Sequence, residues 1–330
     1  MMILCIIGIP YFLRLFTTDA NVIALGVRYA TIVFSFSVIL SVNLTFEKMN
    51  QAIGNMKITM ISLLIGCVLN IILDPMIIFG IGPFPELGIA GAALATVTAQ
   101  AFSAFYCFLS VRKIEIVHTD RDDFAKVPGL NRKLFGLGAP ILFQDVIISV
   151  GGLAVQFVIN GYGFLFVAGF TATNKLYGVL EMAAISYGYA VVSYVGQNLG
   201  AGKIERIRRG ILLATGYTCI WCTLNIVTAY TIGDWLVWLV TGSENPEVVY
   251  NATLYLKVDT LFYYVTAVIC IVRNAMQGLG ERIVPLISSS LEMIGKIVIA
   301  ATLVPMFGYL GVIAAEPIVW FIMIIPLLIK

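Results

Sequence analysis

Apolar residues fill this chain in long unbroken runs, parted by short polar connections. The polar positions inside the runs recur every three or four residues, which is helical periodicity. A run of about 20 apolar residues can cross a bilayer as one helix. Ten segments are predicted, over 1–16, 22–46, 58–79, 88–111, 134–160, 166–198, 210–232, 248–277, 285–304 and 311–330. Barrel strands would be about 10 residues with strict alternation. The expected class is therefore all-α, a polytopic membrane protein of about ten transmembrane helices. The sixth and eighth segments are long enough to tilt or to project beyond the hydrocarbon core.

The connections alternate in charge. Lys48 and Lys57 fall in the second, Arg112, Lys113, Arg132 and Lys133 at the two ends of the fourth, Lys203, Arg206, Arg208 and Arg209 in the sixth, and Arg282 in the eighth. The odd-numbered connections hold Asp19, Glu86, Asp234, Glu244 and Glu247 instead. By the positive-inside rule the even connections and both chain ends are cytoplasmic, in the plasma membrane. The fourth connection has mixed charge and Pro128-Gly129, which suits a linker. The expected organisation is an N-terminal four-helix bundle over 1–111, a cytoplasmic linker over 112–133 and a C-terminal six-helix bundle over 134–330.

Composition narrows the chemistry. Of 330 residues 60% are apolar and 12% charged, more apolar surface than a soluble domain of this length could hide. A net charge of +2 leaves no basic footprint, so nucleic acid is not an expected partner; membrane lipids are. The six cysteines all lie in apolar runs, and the one histidine, His118, lies in a polar connection. A metal cluster or a histidine-based triad has almost nothing to draw on, so neither an enzyme nor a cofactor is expected.

The chain also repeats itself. Tyr29, Gln51 and Gly54 recur as Tyr255, Gln277 and Gly280 at one constant offset. Leu87-Gly88-Ile89-Ala90-Gly91-Ala92 resembles Leu310-Gly311-Val312-Ile313-Ala314-Ala315 at a slightly smaller one. Segments two to four thus correspond to segments eight to ten. The separation is an even number of helices, so the two pseudo-repeated bundles share one membrane orientation. Segments five and six have no counterparts ahead of the first segment, so the N-terminal bundle is expected to be incomplete.

Ionisable groups at membrane depth are costly unless they face a cavity or a partner. Asp145, Ser149, Gly152, Gln156 and Asn160 lie on one helical face. This stripe suits a Na⁺ or proton site, or equally an interhelical hydrogen-bond ladder. Asn174, Gly178 and Glu181 share a face of segment six, and Asp259 heads a polar stripe in segment eight that ends on Arg273 and Gln277. Glu292 and Lys296, four apart, read as an ion pair that neutralises itself. Glu316 has no local partner. Asn43 with Glu47, and Asn70 with Asp74, read first as packing and helix-end features. Gly196-Gln-Asn-Leu-Gly-Ala-Gly202-Lys203 imitates a phosphate loop, but it is one residue too long and Ile204 stands where Ser or Thr would bind Mg²⁺.

Several of these motifs resemble the multidrug and toxic compound extrusion (MATE) family of secondary transporters. The carriers are Gln51-Ala-Ile-Gly-Asn55, Asn70-Ile-Ile-Leu-Asp74-Pro75-Met-Ile-Ile-Phe-Gly80, Leu87-Gly-Ile-Ala-Gly-Ala-Ala-Leu-Ala-Thr96, Gln197-Asn-Leu-Gly-Ala-Gly-Lys203 and Met276-Gln-Gly-Leu-Gly280. The resemblance implies two six-helix bundles about a central cavity, of which this chain would hold the third to twelfth helices. It implies exchange of Na⁺ or H⁺ for a small organic, mostly cationic substrate by alternating access; the expected state is a monomer. The residues expected to bind ion or substrate are Asp145, Gln156, Asn160, Asn174, Glu181 and Asp259. A lipid-linked sugar flippase of the same superfamily and a non-transporting fragment are the competing readings.

Overall fold

The computed structural model describes residues 2–114, 127–242 and 245–329, with all their side chains except those of Phe164 and Leu165. Most of the expected linker, with His118, lies outside the described residues, as does Glu244. The chain divides into two compact units, Met1–Lys126 and Val127–Lys330. The first holds α1 (Met2–Arg14), α2 (Ala20–Ser35), α3 (Ser37–Ala52), α4 (Met56–Ile78) and α5 (Ile89–Val111). The second holds α6 (Leu130–Asn160), α7 (Phe164–Gly200), α8 (Ile204–Thr241), α9 (Pro246–Leu261), α10 (Tyr263–Gly278), α11 (Ile283–Phe307) and α12 (Tyr309–Ile329). The described residues contain no strand.

Each predicted segment coincides with one helix or with a bent pair. Among the described residues seven helices are long and apolar enough to cross a membrane alone, and up to nine spans result if each bent pair counts once. The protein is thus a multi-pass, all-helical membrane protein. Two segments differ from expectation. Segment eight is long because it is broken: α9 and α10 meet at 55° around Phe262. The projecting helix beside α7 is α8, whose 38 residues span about 55 Å, well beyond a ~30 Å hydrocarbon core. Its charged first turns, with Glu205, Arg206, Arg208 and Arg209, extend the helix past the apolar run.

The internal repeat is visible in the geometry. α2 and α3 meet at 53° around Phe36, and Phe36 precedes Phe262 by the same offset that separates Tyr29 from Tyr255. Ser62 Oγ donates to the Ser103 carbonyl at 3.3 Å, and its counterpart Ser288 Oγ donates to the Met323 carbonyl at 2.8 Å. Gly88 (φ +54) opens α5 and Gly308 (φ +57) opens α12, a conformation that L side chains rarely adopt. Each is followed three residues on by a glycine pressed against the preceding helix: a Cβ on Gly91 would lie 2.6 Å from the Ile77 carbonyl oxygen, and one on Gly311 would strike that of Leu303. Gly88 therefore pairs with Gly308 rather than Gly311, and the last helix sits three residues off the register read from sequence. The reason lies in the connections: residues 79–88 join α4 to α5, whereas Gly308 alone joins α11 to α12.

Small residues bring the helices close in the first unit, whereas large apolar side chains share the core of the second. In the first unit α5 buries Ala90, Ala93, Ala95 and Ala99. In the second, Leu176, Ala229, Leu256, Ala267 and Trp320 form the main core, while Leu212, Ile220, Leu239 and Phe321 point outward.

Candidate functional site

Within the second unit, charged side chains from α10, α11 and α12 meet in the interior. Lys296 on α11 places Nζ 3.2 Å from Glu292 Oε1, one turn earlier, and 3.0 Å from Glu316 Oε1 on α12. Arg273 on α10 lies 3.7 Å from Glu292 Oε2 and donates to Ser288 Oγ at 3.4 Å. The pair Glu292–Lys296 forms as expected, but it does not close on itself. Lys296 is shared with Glu316, and Arg273 joins from the other side. Glycine makes this possible: a Cβ on Gly295 would lie 2.9 Å from Val319 of α12, so the two helices approach closely enough for the bridge. Charges held so deep are tolerable only when paired. Here two cations meet two carboxylates.

Two further carboxyls share this interior without a cation of their own. Asp259 stands in the last turn of α9, just before the break at Phe262. It is 1% exposed, and its Oδ1 has no hydrogen-bond partner among the described residues. Glu181 on α7 is half-buried, with the Tyr177 hydroxyl in reach of its carboxylate. Both feel the charges of Lys296 and Glu316. Neither has an ion pair within 4.0 Å among the described residues. The centre thus contains four carboxyls and two cations. At the break, the Thr260 hydroxyl donates to the Leu256 carbonyl at 2.9 Å, a local bond that competes with the helical ladder. Three rings wall the same region: Tyr177 lies edge-on to Tyr263 (5.6 Å, 85°) and parallel to Trp320 (6.2 Å, 20°).

The residues singled out in the sequence therefore separate into two groups. Glu181 and Asp259 come together in the interior. Asp145, Ser149, Gly152 and Asn160 are exposed along α6, with Gln156 half-buried and donating to Asn160 Oδ1 at 2.7 Å. Asn174 is likewise exposed on α7. Gln144, the neighbour of Asp145, points the other way and accepts a 3.1 Å hydrogen bond from Gln277.

Sequence reasoning missed the joint role of Arg273, Lys296 and Glu316, and the three rings. One signal could have found the bridge. At the corrected register Asn70 and Thr96 are the counterparts of Lys296 and Glu316, and they too are in contact, at 3.4 Å. The repeat keeps the contact and replaces a neutral pair with an ion pair. In the first unit the buried polar groups meet neutral or single partners: Asn43 donates to Gln100 at 2.7 Å, and Gln51 to Glu47 at 3.1 Å, while Asn43 Oδ1 has no partner among the described residues.

The sequence that builds these units matches a known family. The MatE family model matches residues 1–76 and 140–302, most of the chain. The chain belongs to the MatE family. MatE proteins are membrane transporters, not enzymes. Among relatives, the chain is 27% identical over 281 residues to the probable multidrug resistance protein YoeA of Bacillus subtilis, covering 84% of this chain and 60% of YoeA. It is 25% identical over 232 residues to the FAD transporter of Shewanella oneidensis, covering 69% of this chain and 50% of that protein. It spans about half to three fifths of the length of these two relatives. In fold it is similar to a multidrug resistance MATE family transporter solved in an outward-facing conformation, with a TM-score of 0.87 at 20% identity, over 99% of this chain and 73% of that one.

Proposed function

We propose that this MatE chain carries the export of organic compounds across the plasma membrane, driven by exchange for Na⁺ or H⁺, with alternating access as the mechanism. The observation that carries the proposal is the carboxyl surplus beside the α9–α10 break. Broken helices with unpaired acidic groups at membrane depth suit ion and substrate binding. Asp259 is the coupling carboxylate in this reading. It takes a proton or Na⁺ when the site is empty of substrate and releases it as a cationic compound binds. Glu181 is the second acidic group, and the half-buried Tyr177 beside it is the ring within reach of an organic cation, with Tyr263 and Trp320 buried behind it.

The exposed stripe on α6 has a place in the same scheme. A carboxylate facing lipid would be costly, so Asp145 calls for water or a polar partner along that face. Gln156, Asn160 and Asn174 would extend the polar route. The even connections and both termini are cytoplasmic in this scheme, and the chain acts as a monomer. A second reading is favoured by the likeness to the FAD transporter, and it makes the cargo an anionic, nucleotide-bearing compound.

The test is efflux from reconstituted vesicles, with an inward Na⁺ or H⁺ gradient imposed on vesicles loaded with a fluorescent organic cation or with FAD. Gradient-dependent loss of the cation supports the leading reading. Loss of FAD alone favours the second, and movement of neither contradicts both.

A further inference from the structure

The turn between α7 and α8 forms a groove that the transport scheme does not use. It has a volume of about 580 Å³ and lies between two antiparallel helix faces. On α7 the lining residues include Tyr194 and Asn198, and on α8 they are Arg206, Arg209, Gly210 and Leu213, with Lys203 at the turn. The spacing is one helical face on each side. Three cations line this groove and no carboxylate does, Glu205 of the same first turn of α8 being outside the lining. Among the described residues none of the three cations is in an ion pair. The turn is the near-phosphate-loop of the sequence, with its glycines at the helix end and its cations facing the groove.

The walls are built rather than accidental. Gly210 has no side chain because the Tyr194 ring occupies its place, and any Cβ there would collide with that ring. The Tyr194 hydroxyl then reaches the Arg206 carbonyl at 3.2 Å, tying the two helices together at the groove. One turn deeper along α8 the surface becomes apolar and open, with Leu213 52% and Tyr217 56% exposed. A basic pocket over an exposed apolar strip fits an amphiphile with an anionic head, and a free phosphate would have no use for the strip.

We infer that this groove binds the phosphate headgroup of an anionic phospholipid, with Lys203, Arg206 and Arg209 on the phosphate and the acyl chains along Leu213 and Tyr217. Basic pockets between membrane helices at a lipid surface are suited to such headgroups. Binding there would fix the α7–α8 turn to one leaflet while the rest of the unit moves.

Native mass spectrometry of the purified full chain tests this, with phosphatidylglycerol or phosphatidylcholine titrated into the micelles. The wild-type chain should retain phosphatidylglycerol about tenfold more tightly than phosphatidylcholine. The pair Arg206→Gln/Arg209→Gln should remove most of that preference, whereas Arg132→Gln/Lys133→Gln, an equal loss of charge outside the groove, should keep it. No headgroup preference in the wild-type chain would overturn the inference without recourse to any variant. So would equal losses in the two variants, or displacement of the lipid by millimolar inorganic phosphate.

Discussion

Lys296 holds two carboxylates at once, so its removal strands Glu316 and leaves Glu292 with Arg273 alone, 3.7 Å away. Breaking a buried pair by deleting one partner typically costs about 3–5 kcal/mol. Lys296→Met should therefore lower stability by at least that much, read as the thermal or denaturant midpoint in detergent. Asp259→Asn should behave oppositely. Its Oδ1 has no partner to lose, and a neutral amide is cheaper to bury than a carboxylate. The midpoint should stay the same or rise, although transport is lost. This contrast marks how far single residues could be read from the chain. Asp259, Glu181 and the Glu292–Lys296 spacing were legible, because an ionisable residue in an apolar run is conspicuous. The tie from Lys296 to Glu316 was not, because it depends on how far α12 is shifted against α11.

The helices themselves were legible as lengths of apolar sequence. Their breaks were not. Neither Phe36 nor Phe262 is flanked by the proline or glycine that usually marks a kink. The bends instead accompany hydroxyls that bond back into the preceding turn, Ser35 to the Thr31 carbonyl and Thr260 to that of Leu256. Internal symmetry was the better guide, since both bends fall at equivalent places in the repeat. The glycine contacts at Gly91 and Gly311 belong to the same symmetry and carry a matched expectation. Gly91→Val and Gly311→Val should each destabilise by about 1–3 kcal/mol or more, because the new side chain meets backbone rather than a flexible neighbour. Gly82→Val would be a fair control for space, since nothing lies within 4 Å of a Cβ there; its positive φ still carries a backbone cost. Unfolding midpoints of the three variants test this, and equal losses at all three would argue that conformation rather than contact sets the cost.

For the chain as a whole, composition established a membrane protein, and the alternating loop charges predict an orientation that labelling can test. In a cysteine-free background, single cysteines near Gly54, Gly202 and Gly280 should react with a membrane-impermeant reagent only after the cell is opened. Cysteines near Asp19 and Gly82 should react on intact cells. What composition could not supply was the inner arrangement, four carboxyls against two cations, on which the proposed coupling depends. The most direct measurement is the affinity of the purified protein for a fluorescent organic cation as Na⁺ is raised or pH lowered, in the wild-type chain and in Asp259→Asn. The wild-type affinity should fall as the competing cation is added, and the variant should still bind but lose that dependence. An Asp259→Asn protein whose binding weakens with Na⁺ or acid as steeply as the wild type would contradict the proposal that Asp259 couples ion and substrate.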